Sequence, residues 1–397
     1  MVPEGWKRIP LERVADVRSG VAKGKSGLKN PIKVPYLRVA NVQDGYINLD
    51  DVKEIEIERD NLERYSLKYG DVLMNEGGDF DKLGRGDVWR AQITPCLHQN
   101  HVFAVRPKQD LIDSFFLAAL AASSYGKNYF LGCAKKSTNL ASINSGQIKE
   151  FPVLVPPIAE QKNIARILSV WSKAISNAEQ LLANSRQQKK ALVKKLINGE
   201  DRLSNFSCKF KKVSLGELFY ERVENGFVHL PLLSITSEEG VINREETGRK
   251  DTSSADKSKY LRICPGDIGY NTMRMWQGVS GLSSLEGLVS PAYTILIPQP
   301  GIDPLFAAYL LKSPALVHVF YRYSQGLVSD TWSLKYSNFA RIKWFVPGID
   351  EQKAIATVLS SADRDIDILQ QKLECLKQEK KALMQQLLTG KRRVKSN

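Results

Sequence analysis

Apolar positions recur with two different periods in this chain. Ile164, Leu168, Trp171, Ile175, Ala178, Leu182, Ser185, Lys189, Leu192 and Leu196 step by four and three residues in turn, and eight of these ten are apolar. The same stepping runs through Ile355, Leu359, Ala362, Ile366, Leu369, Leu373, Leu376, Lys380, Leu383 and Leu387, with nine of ten apolar. A strict seven-residue repeat held this long predicts two long helices, each with a narrow coiled-coil seam rather than the wider stripe of a helix lying on a globule. Pro156-Pro157 and Pro347 stand before the helices and Gly199 and Gly390 after them, at the positions where proline starts and glycine stops a helix. Each helix covers about 40 residues, or about 60 Å at 1.5 Å per residue. Elsewhere, short runs rich in β-branched and aromatic residues, broken by Gly, Pro and Asn, predict strands.

The two helical segments are copies. Residues 155–199 set over 346–390, a constant offset of 191, are identical at twenty of 45 positions without a gap. The flanking segments are related more weakly. Tyr69-Gly70-Asp71-Val72 matches Pro265-Gly266-Asp267-Ile268, and His101–Val105 ending at Pro107 matches Ala292–Leu296 ending at Pro298. Apolar helical stretches follow at Leu111–Ala122 and Leu305–Val319. The chain therefore reads as globule, helix, globule, helix, with α+β globules. The boundaries fall at 1–155, 156–200, 201–346 and 347–397. Two equal seams in one chain most simply pair with each other, and the globule lying between the helices suits an antiparallel pair.

Composition narrows the function. Hydrophobic residues at 43% and charged residues at 25% fit a chain with a buried core and exclude a mostly disordered one. Fifty-seven Lys and Arg against 43 Asp and Glu leave a net charge of +14, which points to an anionic partner, nucleic acid first. Five scattered cysteines, Cys96, Cys133, Cys208, Cys264 and Cys375, form no CxxC and suit a reducing compartment. The longest apolar run, Phe115–Ala122, is far short of the ~18 residues that span a bilayer. A cytoplasmic protein with no membrane partner is expected.

In its order of parts the chain resembles a specificity subunit of a type I restriction-modification system, over essentially its full length. The helix-entry strings Val153-Leu154-Val155-Pro156-Pro157-Ile158-Ala159-Glu160-Gln161 and Val346-Pro347-Gly348-Ile349-Asp350-Glu351-Gln352 carry the resemblance, supported by the Gly-Asp strings and by Ser290-Pro291-Ala292-Tyr293. The resemblance implies two target-recognition domains, each reading half of a split site in double-stranded DNA. It implies two central helices forming an antiparallel intramolecular coiled coil that docks two modification (methyltransferase) subunits, with restriction (translocase/nuclease) subunits able to join. S-adenosylmethionine, ATP and Mg²⁺ would then belong to those partners, with no cofactor on this chain. Gly348 departs from Pro157 of the first copy, and His98-Gln99-Asn100 departs from Val289-Ser290-Pro291. A split-site reader needs two heads at a fixed distance, because B-DNA presents its major groove once per ~34 Å turn.

Candidate DNA contacts are loops mixing charge, aromatics and amides, since phosphates need cations and base edges need planar donors and acceptors. In the first globule these are Lys82, Arg85, Trp89 and Arg90, with Lys135, Lys136 and Asn139. In the second they are Arg274, Trp276 and Gln277, with Arg322, Gln325, Trp332 and Lys335. Both tryptophans near the strands, Trp89 and Trp276, also suit a core. Three other patterns are weak. Gly20–Ser26 has three residues between its glycines where a phosphate loop has four. Cys96, His98 and His101 match no zinc spacing. Asp350, Glu351 and Lys353 resemble a nuclease set, but the first copy has Ala159 in place of the aspartate, and acidic residues at helix starts favour the dipole. No catalytic residue and no metal site is expected. The rival readings are a coiled-coil scaffold, an orphan DNA-binding protein without restriction activity, and an autonomous nuclease. A scaffold has no reason to diversify both globules.

Overall fold

The structure is a computed structural model, and it describes residues 2–23, 27–78, 83–136, 141–237, 239–248, 256–327 and 331–394. It divides into two compact units, residues 1–179 with 371–397 and residues 180–370. These units do not follow the boundaries expected at 156, 200 and 347. The division falls inside both long helices.

The first unit opens with β1 (Lys7–Pro10), α1 (Leu11–Val14), β2 (Ala15–Ser19), β3 (Pro31–Leu37), β4 (Lys53–Glu58), α2 (Leu62–Tyr65), β5 (Val72–Asn75), β6 (Gly77–Gly78), β7 (Leu97–His98) and β8 (Val102–Pro107). It continues with α3 (Ser114–Ala122), α4 (Ser124–Cys133), β9 (Lys135–Lys136), β10 (Ala141–Ser142), α5 (Ser145–Lys149), β11 (Pro152–Val155) and the start of the long α6 (Ile158–Ile197). Strand β1 pairs antiparallel with β11, so the two ends of the globule close on each other. The sheets run β2-β8-β5, β4-β3-β7 and β6-β10-β9. The expected strand ending at Pro107 is β8, whose buried run Val102–Val105 fills both faces of the sheet.

The second unit repeats the plan. It contains β12 (Lys211–Ser214), α7 (Leu215–Leu218), β13 (Phe219–Arg222), β14 (Leu233–Thr236), β15 (Gly240–Asn243), β16 (Leu261–Ile263), β17 (Ile268–Asn271), β18 (Ser280–Leu282), β19 (Gly287–Val289) and β20 (Tyr293–Pro298). Then come α8 (Pro304–Leu311), α9 (Pro314–Tyr323), α10 (Tyr336–Phe339), β21 (Lys343–Val346) and the long α11 (Ile349–Leu387). Strand β12 closes on β21, and the main sheet runs β13-β20-β17-β18. The apolar stretch expected as one helix over 305–319 is two helices. Ser313-Pro314 divides it, because proline cannot donate within a helix but fits its first turn.

Both long helices carry their heptads as the spacing predicts. Ile164, Leu168, Trp171, Ile175, Leu182, Leu192, Leu196, Ile355, Leu359, Ile366, Leu369, Leu373, Leu376, Leu383 and Leu387 are all buried or half-buried, and most residues between them are exposed. The core of the first unit holds Ile164 and Leu168 from the start of α6 and Leu387 and Leu388 from the end of α11, together with Trp6, Leu11 and Phe116. The core of the second holds Leu196 and Ile197 from the end of α6 and Ile355 and Leu359 from the start of α11, with Leu215, Phe306 and Phe339. Each globule thus shares one core with pieces of both helices, which is why the compact units cut across them.

Candidate nucleic-acid interface

Two polar clamps hold the base of each unit. Gln161, buried near the start of α6, accepts from Asp113 N at 2.8 Å and donates to the carbonyls of Leu111 and Pro156. Gln352 in α11 accepts from Asp303 N at 2.8 Å and donates to Gly301 and Pro347. Asp113 and Asp303 in turn cap α3 and α8. The neighbouring glutamates are equally committed. Arg202 grips Glu351 at 2.6 and 2.7 Å, and Arg393 grips Glu160 at 2.8 and 2.9 Å. Burial alone would raise the Glu160 pKa, but the bonds from Arg393, Trp6 Nε1 and Val394 N hold it below its ordinary value. The Glu-Gln-Lys strings are therefore fold-closing contacts, and Glu351 is no nuclease ligand. The sequence signal that was missed is that Arg202 and Arg393 also stand 191 residues apart.

The Gly-Asp strings make a second shared device. Gly70 and Gly266 have φ +89° and +90°, a backbone conformation that suits glycine. The aspartates that follow are buried, and each accepts from the residue three before it, Lys68 N and Cys264 N, at 2.8 Å. Each also holds an arginine in two bonds, Asp71 with Arg106 and Asp267 with Arg222. From this turn β5 and β17 lead to Asn75 and Asn271, and onward to the candidate loops.

In the second unit these loops meet. Leu334 N donates to Thr272 O at 2.9 Å, and Gln325 and Ser333 exchange backbone bonds of 3.0 and 2.8 Å. Trp276 and Trp332, from segments far apart in sequence, lie edge to face with centroids 5.3 Å apart. Tyr321 packs on Trp332 at 4.9 Å. Arg274, Gln277, Arg322, Gln325 and Lys335 are exposed around this cluster, and Trp276 and Trp332 are half-buried. Such a surface offers planar donors and π faces together. Tyr321 was missed as a candidate, although it adjoins Arg322 in sequence.

The first unit joins its loops by the equivalent bond, Ile143 N to Glu76 O at 2.8 Å, and by the pairing of β6 with β10. Its candidates fare differently. Lys82 and Asn139 lie outside the described residues, and of Lys136 only the backbone in β9 is described. Lys135 is exposed on β9. Arg85 is half-buried, with an Nε that has no hydrogen-bond partner among the described residues. Trp89 is corrected to a core residue, since it is 0% exposed among Leu37, Val42, Leu73 and Cys96. Arg90 is exposed but engaged, bonded to Asp87 at 2.7 Å and lying over the Phe115 ring at 5.3 Å.

The remaining motifs find ordinary roles. Lys23 and Tyr36 of the glycine-rich segment form a cation–π contact, while Gly24, Lys25 and Ser26 lie outside the described residues. Cys96 and His98 are buried. His98 Nδ1 bonds Val102 O at 2.6 Å, and burial lowers its pKa. His101 is bonded to Glu76 at the surface. Among the described residues no three His, Cys, Asp or Glu side chains converge as a metal site.

The family model for the type I restriction modification DNA specificity domain matches residues 3–184. The putative type I restriction enzyme MjaX specificity subunit of Methanocaldococcus jannaschii is 26% identical over 418 residues, covering 100% of this chain and 95% of that protein. The chain is thus similar to type I restriction enzyme specificity subunits, by the family model over residues 3–184 and by this relative along its whole length. Solved structures agree on the fold. A chain from a structure describing complex assembly and conformational transition of the type I R-M system superposes with a TM-score of 0.61 at 14% identity, over 98% of each chain. The S subunit from M. genitalium gives 0.56 at 15% identity, over 98% of this chain and 99% of that one. The clamps recur in both units, whereas the candidate loops differ between them. No helix among the described residues is long and apolar enough to cross a membrane.

Proposed function

We propose that each unit reads one half of a bipartite site in double-stranded DNA, and that α6 and α11 pair as an antiparallel intramolecular coiled coil that fixes the separation of the halves. The coiled coil docks two modification subunits, which bind S-adenosylmethionine and methylate adenine. Restriction subunits, with ATP and Mg²⁺, join the same cytoplasmic complex. The observation that carries this reading is the cluster of Arg274, Trp276, Gln277, Gln325 and Trp332, built from two distant loops on a scaffold that both units share. The heptad seams and the pair Glu179–Lys377 at 2.9 Å between α6 and α11 support the coiled coil. The net charge of +14 supports binding to a polyanion.

The test is methylation by the complex assembled with its modification subunit, on substrates altered in one half-site at a time. Arg274→Ala is expected to weaken discrimination in one half-site by about 1–3 kcal/mol, the value of a bidentate base contact. Equal loss in both halves would make Arg274 a phosphate contact or a structural residue.

A further inference from the structure

The two units differ sharply at one place beside the long helices. In the second unit, Lys189 of α6 is bonded to Asp363 of α11 and lies 5.7 Å from the centroid of Tyr309 in α8. The Tyr309 hydroxyl donates to Asp363 at 2.6 Å, and Lys312 in the same region donates to Ser237 O at 3.2 Å. The shared caps at Asp113 and Asp303 align α3 with α8, so Ala119 stands for Tyr309 and Ala122 for Lys312. The offset of 191 sets Lys380 for Lys189 and Ser172 for Asp363. Three large side chains are thus replaced by Ala, Ala and Ser, while the lysine is kept.

The consequence is a cavity of about 410 Å³ within the first unit, lined by Phe115, Ala119, Ala122, Leu168, Ser172 and Lys380 among others. The pocket is open to solvent on one side, with Ser172 and Arg90 exposed at its edge. At its rim, Lys127 is paired with Asp44 at 2.9 Å and Arg90 with Asp87 at 2.7 Å. Lys380 is half-buried, and among the described residues it has no hydrogen bond or ion pair. Burial lowers its pKa, against the more distant pull of Asp44 and Asp87. Here the molecule supplies its own ligand specification, because the matching lysine of the second unit is satisfied by an aromatic ring together with an acidic oxygen.

We infer that this cavity is a binding pocket for an aromatic ring carrying an acidic oxygen, with the ring over Ala119 and Ala122 and the oxygen held by Lys380. The ring can come from a free aromatic acid or from a side chain of a partner subunit.

The test uses the full chain and the probe 4-hydroxyphenylacetate, with binding followed by ligand-observed NMR. Saturable binding is expected, weakened about tenfold or more by Lys380→Met, which removes one charge-assisted hydrogen bond. The double variant Ala119→Tyr with Ser172→Asp rebuilds the second unit's arrangement. It is expected to abolish binding and to raise the thermal midpoint. Should that variant not fold, Ala122→Leu is expected to block the pocket alone. Absence of saturable binding up to about 10 mM, a range that still detects contacts of only a few kcal/mol, would overturn the proposal. So would unchanged binding in Lys380→Met or in the filled variants. Adding the modification subunit separates the sources. Displacement of the probe assigns the ring to that partner, and retention assigns it to a free acid. None of this depends on the DNA reading, which the Arg274 test decides separately.

Discussion

The two units solve the same closure problem with different spare contacts. Among the described residues Glu351 is held by Arg202 alone, whereas Glu160 has Arg393 and, besides it, Trp6 Nε1 at 3.2 Å and Val394 N at 3.3 Å. The Gly-Asp turns show a similar divergence. Asp71 takes its arginine from β8, the directly adjacent strand, where Val105 sits opposite Val72. Asp267 takes its arginine from β13, one strand further away, where Arg222 faces Ile295. Arg18 occupies the β2 position of Arg222, yet Asp71 pairs with Arg106. What persists across the duplication is the buried carboxylate and its need for a cation. Which strand delivers the cation is free to change, because any arginine within reach satisfies the same charge.

The largest effect is expected from breaking the unbuffered clamp. Arg202→Met leaves the buried Glu351 carboxylate without its cation, and a carboxylate out of water with no partner is strongly destabilising. Arg393→Met should cost clearly less, since Trp6 and Val394 keep bonding Glu160. Chemical denaturation of both variants measures the difference, and equal losses would show that Trp6 contributes nothing to the clamp.

A smaller effect sharpens the turn comparison. Arg222→Ala should destabilise the second unit by about 1.5–3 kcal/mol, the range for hydrogen bonds to a charged group. Adding Ile297→Arg, which places an arginine where Arg106 stands in the first unit, should restore most of that loss. Thermal unfolding of the single and double variants reads this directly. Failure of the second change to rescue would mean that the two turns are not interchangeable.

The smallest effect is in pH. The folded pKa of Glu160 lies below its ordinary value of 4.5. Its contribution is therefore present above the unfolded pKa and lost as pH falls through the folded one. Glu160→Gln should flatten the fall in stability below about pH 4.5, near the unperturbed carboxylate range, and leave the slope at pH 6–8 unchanged. Stability curves over that range would expose any different behaviour.

Much of this was set by the sequence alone. Helix length, seam, stops and duplication were all written in one-dimensional order, because a heptad is a local property and a helix end is decided within a turn. The strand ending at Pro107 and the turn at Gly70 were equally visible, as both depend on neighbours in the chain. Tertiary structure decided what no spacing could. It sent Trp89 into a core built with Leu37 and Cys96, while Trp276 met Trp332 at the surface. It made Glu160 and Glu351 clamps, each closed by an arginine beyond the other helix. It also left a cavity at Lys380 where Lys189 is covered. In each case the deciding contact joins residues distant along the chain. Whether a side chain is packed, paired or open follows from which segments arrive beside it, and that is fixed only when the cores close.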